Sequence, residues 1–211
     1  MTSNFEPHRL FRIVPAMELD KFSFSAIAGA RYHLEKIAEN LNSAGMQRYW
    51  GDDLEIDDLT RRKLQANINV FHWHLRAFFW ELVASFDTML QWANQRFDLG
   101  LQEDKVKWEK IPRTAGKDQA EWDKKYAILE SVWESSWYFE VRMYRNFAHR
   151  AFLFVQSEFE EQKTSHKSSH QLKMTWLLPV REGQQEYRII MEQLQYYLER
   201  MRHLWEVLFK S

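Results

Sequence analysis

Between residues 20 and 44, apolar positions recur at intervals of three and four through Phe24, Ile27, Tyr32 or Leu34, Ile37, Ala38 and Leu41, with Asp20 placed to cap the start and Gly45 to stop the end. That spacing predicts an amphipathic helix. A longer helix is predicted over about 59–96. Its main stripe runs through Leu64, Ile68, Phe71, Leu75, Phe78, Leu82, Phe86, Met89 and Ala93, and a second stripe runs through Val70, Trp73, Ala77, Trp80 and Ala84. Two apolar stripes imply cover on more than one side, from a bundle or from a second subunit. Arg76, Glu81 and Asp87 interrupt this surface. A charge sunk among apolar groups is costly unless paired, so these three read as an ion-pair set or as the back wall of a polar site.

Residues 97–117 read as a connection with one helical piece near 105–110, closed by Pro112 and Gly116. Helix resumes near Gln119. Ser131 with Glu134 fits a capping box, and Ser135 and Ser136 are further caps, so a break is expected there before a helix over 137–161. Residues 164–183 read as a polar excursion ending in a β-like run over 174–180, expected to form a hairpin with 10–14. A last helix is predicted over 184–209, where Ile190, Leu194, Tyr197, Met201, Leu204 and Leu208 alternate by fours and threes, the seam of a bundle. The chain shows no internal repeat. The expected fold is one all-α domain over 1–211, a bundle of long antiparallel helices with one small β-hairpin.

Composition narrows the functional classes. Apolar residues make up 45% of the 211 and aromatics 16%, too many for a disordered chain, while Gly 6 and Pro 4 leave little material for the turns of an all-β fold. Lys and Arg total 29 against 30 Asp and Glu, so nucleic acid can be met only through a local patch. With Cys 0, disulfides, thiolate metal sites and cysteine nucleophiles are excluded together. The first ten residues lack an apolar signal region and the uncharged stretch 64–75 is too short to span a bilayer, so a cytoplasmic chain with no membrane partner is expected.

The strongest chemical signal lies on the helix expected from 137. At 100° per residue, Trp137, Val141, Tyr144, Ala148, Ala151 and Val155 form an apolar arc, and beside it Arg142, Arg145 and His149 fall within about 60° of one another. Tyr138 and Gln156 continue the strip, with Asn146 and Phe152 at its edges. No acid lies between Glu140 and Glu158. An uncompensated positive strip is what a phosphate site needs, and its plain alternative is a solvated basic face. Other signals are weaker. Five acids within 52–58 read as a solvated loop, and His72 and His74, two apart on a helix, cannot chelate one ion. His166 and His170 have zinc-pair spacing but sit in a loop-like run. No metal or cofactor is expected, although His33, His74, His149 and His203 on separate helices remain a donor set that no spacing selects.

The run Phe139-Glu-Val-Arg-Met-Tyr-Arg-Asn-Phe-Ala-His-Arg150 resembles the signature helix of the HEPN superfamily (higher eukaryotes and prokaryotes nucleotide-binding domains), in which an arginine, commonly followed by a polar residue, precedes a histidine by a few positions. Arg145-Asn146 followed by His149-Arg150 carries the likeness. The family places four to six residues between arginine and histidine; Arg145 and His149 have three between them, and Arg142 has six but is followed by Met143. Both arginines stay open for the role. The likeness spans about 31–161 and includes the aromatic, acid-bearing run 78–87. It implies a helical bundle, usually a homodimer with the motif helices facing each other, that binds RNA or a nucleotide. In many members it implies a metal-independent endoribonuclease. On this resemblance His149, Arg145, Arg142 and Asn146 form the catalytic set, with Glu81 and Asp87 behind them.

That chemistry suits the residue types. Metal-free cleavage uses the 2'-hydroxyl of RNA as nucleophile and needs a base, an acid and positive charge on the phosphorane. Histidine transfers protons near neutral pH and the arginine fork matches phosphate oxygens. One His149 per chain fills one proton-transfer role; two from a symmetric dimer fill both. The alternatives are a non-catalytic nucleotide-binding or protein-interaction module, and a hydrolase with a histidine-bound metal.

Overall fold

A computed structural model describes residues 16–41, 58–150, 156–163, 170–179 and 187–210. The chain is an all-α bundle with a small sheet. Its helices are α1 (Ala16–Leu41), α2 (Asp58–Phe97), α3 (Gln119–Trp133), α4 (Ser136–Arg150) and α5 (Ile190–Phe209), and its strands are β1 (Gln156–Lys163), β2 (His170–Pro179) and β3 (Tyr187–Ile189). The 40 residues of α2 make a rod of roughly 60 Å, the spine on which the others lie. Its main stripe is buried as predicted, with Phe71, Leu75, Phe78, Leu82, Phe86, Met89 and Ala93 fully withdrawn from solvent.

α1 runs antiparallel to α2, as three cross-contacts along the pair fix. Near one end the Ser23 and Ser85 hydroxyls, both fully buried, each donate to the other residue's carbonyl oxygen at 3.1 Å. In the middle, a Cβ on Gly29 would stand 3.0 Å from the Glu81 carboxyl carbon, so glycine there lets Glu81 lie flat against α1. Near the other end the Nδ1 atoms of His33 and His74 meet at 2.9 Å. α5 packs antiparallel to α1 on another side, with the Trp205 indole N–H donating to the Asp20 carbonyl at 3.0 Å. The carbonyls left open at the end of α5 are met by buried Lys125 of α3, whose Nζ donates to Val207 O at 3.3 Å and Leu208 O at 2.9 Å.

The connection after α2 is fastened rather than loose. Asn94 pairs with Leu101 through both amide atoms, donating to its carbonyl at 2.9 Å and accepting from its N–H at 3.1 Å. Gln91 holds the Glu103 carbonyl at 2.7 Å. Two single-turn 3-10 helices, Glu103–Lys105 and Trp108–Lys110, replace the one helical piece expected at 105–110. Gly116 closes the loop against Asp98, whose carbonyl oxygen would sit 2.7 Å from any Cβ there.

Several expected boundaries need correction. α1 begins at Ala16 rather than at 20, and the stop at Gly45 and the acids at 52–57 lie outside the described residues. Ser135, not Ser131, starts α4: its hydroxyl accepts from the Tyr138 N–H at 3.3 Å, while the Ser131 hydroxyl bonds back to the Ile128 carbonyl at 2.7 Å. α4 is described to Arg150, and residues 156–161, expected to extend it, belong to β1 instead. β1 pairs antiparallel with β2, Phe159 opposite Met174 and Ser157 opposite Trp176. The apolar run of β2 pairs there, and residues 10–14, expected as its partner, lie outside the described residues. β3 pairs with the end of β2, leaving α5 to begin at Ile190 instead of 184. Among the described residues the second stripe of α2 is left partly open: Val70, Trp73 and Trp80 are exposed.

Two outcomes follow from this packing. Phe79 is fully buried against Tyr144 at 5.0 Å, and Phe79→Ala should lower unfolding free energy by about 3–5 kcal/mol in urea titration, whereas exposed Phe22→Ala should stay within about 0.5. The second concerns pH. Burial, then the neighbouring His74 charge, lowers the pKa of His33; burial, then Lys36, lowers that of His74, with Glu39 opposing. In the unfolded chain these imidazoles protonate near pH 6.5 while the folded pair resists, so the unfolded state binds more protons and stability should fall as pH drops below about 6.5. Replacing both histidines with glutamine should flatten that slope in denaturant titrations between pH 7 and 5.

Candidate functional site

A cleft of about 670 Å³ opens between α2, the connection, the end of α3 and α4. Its floor comes from Val83 and Asp87 of α2 and Tyr138 of α4. The connection contributes Lys107, Trp108 and Glu109, and α4 contributes Arg142, Arg145 and Asn146. Four of the residues singled out in sequence, Asp87, Arg142, Arg145 and Asn146, therefore share one cavity.

The two arginines are held differently. The Arg142 guanidinium lies 3.6 Å from the centre of the Trp133 ring and donates through Nη2 to the Trp133 carbonyl at 3.4 Å. Tyr138 and Phe139 close in at 5.4 and 6.0 Å. Burial draws its pKa down, with Tyr138 and Glu109 opposing, yet an arginine keeps its charge in any protein environment. Trp133 continues a column of rings: Trp108 stacks on it at 5.8 Å, Tyr126 lies against Trp108 at 5.3 Å, and the Arg113 guanidinium caps Tyr126 at 5.2 Å. Arg145, one turn along the cleft, donates to the Asn146 side-chain oxygen at 3.1 Å and sits 5.2 Å from the Trp80 ring. Among the described residues the Nε of each arginine is buried and has no hydrogen-bond acceptor. A buried N–H left unpaired costs on the order of 1–3 kcal/mol, more on a cation.

Acids temper the charge without cancelling it. Burial raises the Asp87 carboxyl above the usual range, the Arg145 charge pulls it back down, and Glu109 pushes it up again. Tyr138, almost wholly enclosed, has its hydroxyl driven far above an ordinary phenol by burial and then by Asp87. Proton exchange at neutral pH is therefore closed to Tyr138, which packs.

One sequence candidate lies elsewhere, and one is not described. Glu81 is not behind the arginines: it faces α1 at Gly29, where burial raises its carboxyl pKa, because its turn of α2 points across the helix pair and not toward α4. His149 falls in the last turn of α4, and its side chain lies outside the described residues. Of the histidines once grouped as donors, His33 and His74 meet and His203 is exposed on α5. Among the described residues, no three histidine, aspartate or glutamate side chains converge on a point that would hold a metal. No helix among them is long and apolar enough to cross a membrane.

Compared with known protein families, curated proteins and solved structures, the chain finds no match. The cleft is read on its own chemistry. Sequence reasoning missed its far wall, Lys107, Trp108 and Trp133, although a tryptophan between two lysines in the polar run 105–110 was the available sign that the connection folds back onto something apolar.

The contrast between the arginines is measurable. Arg142→Lys keeps the charge but loses the flat contact with Trp133 and the bond to its carbonyl, and should cost about 1–2 kcal/mol of stability. Arg145→Lys, with a longer ring contact and no bond to a backbone carbonyl, should cost less than Arg142→Lys. Equal losses in chemical denaturation would place both arginines in the same structural role.

Proposed function

We propose that the cleft takes a phosphodiester of RNA and that the chain is a HEPN-like, metal-independent endoribonuclease acting as a homodimer. The observation that carries the reading is the convergence of Arg142 and Arg145 in one aromatic-walled cavity. A phosphate presents several strong acceptor oxygens to such donors, and bidentate contact from guanidinium planes is the stronger kind. Arg145, steadied by Asn146, contacts the phosphate and stabilises charge on the phosphorane. Arg142, flat on Trp133, supplies a second, fixed positive charge and acts mainly by position. His149 on the same helix takes a proton-transfer role, and His149 of a second copy takes the other. Phe139, half exposed at the mouth, offers an unstacked base an apolar surface.

One observation favours a second reading. Arg142 already spends its plane on Trp133, so the cleft would also serve as a nucleotide-binding or protein-interaction module that holds a phosphate without cutting. A single assay separates them. With EDTA present, the purified chain should cleave single-stranded RNA, His149→Ala should abolish cleavage without lowering the Tm, and Arg145→Lys should reduce it about 10-fold or more, the scale of one charged hydrogen bond. Light scattering should return twice the 25.7 kDa chain mass. RNA binding without cleavage would support the module, and wild-type cleavage by His149→Ala would remove the histidine from the mechanism.

A further inference from the structure

At the opposite end of the α1–α2 pair from the serine contact, His33 and His74 point their Nδ1 atoms at each other across the helix interface, 2.9 Å apart, with ring centres at 5.2 Å. Neither the cleft nor the RNA reading uses them. We infer that His33 and His74 form a two-histidine site for a borderline divalent transition ion of the zinc, nickel and copper class, clamping α1 to α2.

The first argument is bite. A tetrahedral zinc with Zn–N near 2.0–2.1 Å holds two nitrogens about 3.3 Å apart, and a right-angled pair on a square-planar ion holds them at about 2.9 Å. The helices therefore already present two Nδ1 atoms at a chelating separation, and zinc needs an opening of only about 0.4 Å. The second argument is protonation. In the hydrogen-bonded pair, one ring carries its proton on Nδ1 and the other accepts with a free lone pair. Moving the first ring's proton to Nε2 frees both Nδ1 lone pairs, so two neutral imidazoles take the ion with no net proton released. Burial, which disfavours imidazolium at both positions, keeps them in the binding form.

Surroundings and access agree. Lys36 on α1 repels a cation at His74, and its pairing with Glu39 at 2.6 Å offsets part of that repulsion. His74 is 7% exposed and is walled by Trp73, whose ring centre is 4.7 Å away, while His33 lies nearer the surface beside exposed Tyr32. Two protein donors instead of three or four place the expected affinity in the micromolar range.

Calorimetric titration of the full chain, stripped with EDTA and titrated with Zn²⁺, should show a saturable micromolar site, and Zn²⁺ should raise the Tm in a way that EDTA reverses. His33→Gln and His74→Gln should each weaken that site at least 10-fold, while exposed His203→Gln should leave it unchanged. If the glutamine variants unfold, the wild-type chain with one equivalent of Cu²⁺ still decides, since its electron paramagnetic resonance should show splitting from two imidazole nitrogens. Absence of saturable binding, full zinc affinity in both glutamine variants, or copper splitting from fewer than two nitrogens would each overturn the site.

Discussion

Five phenylalanines on one helix, Phe71, Phe78, Phe79, Phe86 and Phe97, must all leave water, and each contributes roughly 1.5–3 kcal/mol only when a partner surface covers it. Because α2 is roughly 60 Å long and no other helix exceeds the 26 residues of α1, no single partner can do this. The chain meets the demand piecewise. Phe79 is matched by Tyr144 of α4 and Tyr197 of α5, Phe86 by Tyr138 and Trp133, and Phe97 by Trp122 of α3. The order of the elements along α2 follows from that matching, and the cleft lies where α3, α4 and the connection meet beside it.

The same rings that complete the core also place the charges. Trp133 faces Phe86 on the core side and carries the Arg142 guanidinium toward the cleft, so a packing residue serves as the mount for a cation. An arginine so mounted is costly to desolvate, and the flat contact with indole recovers part of that cost. Deeper in the bundle the same economy appears in Glu140, a buried carboxylate that accepts from the Tyr197 hydroxyl at 2.5 Å and from Gln193 at 3.3 Å. Glu140 is held in this interior because a phenol hydroxyl and an amide come with it.

The helices and their core face were legible because a period of three and four over many turns has one physical meaning, and the stripe from Phe71 to Ala93 is buried as that period requires. The strip of Arg142, Arg145 and Asn146 was legible for the same reason, since one helix fixes its geometry locally. What escaped was non-local. The partner strand of β2 depends on pairing across a chain reversal, and periodicity within 156–163 did not distinguish it from helix. Glu81 and Asp87, six residues apart, stand about 120° round the helix from each other, so helix geometry already separated them, and which of them faces α1 or the cleft depends on the neighbour packed on each side. The meeting of His33 and His74 depends on the register of α1 against α2, which no spacing within either helix encodes.

The fastening of the connection by Asn94, Gln91 and Gly116 bears on how fast anything could enter the cleft. Lys107, Trp108 and Glu109 hang from a segment whose backbone has already lost its conformational entropy during folding, held by amide pairs to α2 and by the stacked Trp133. Among the described residues, the walls a ligand would meet there are already fixed. Encounter would be limited by diffusion and by the pull of the two guanidiniums on an anion, and selectivity would rest on the rate of departure.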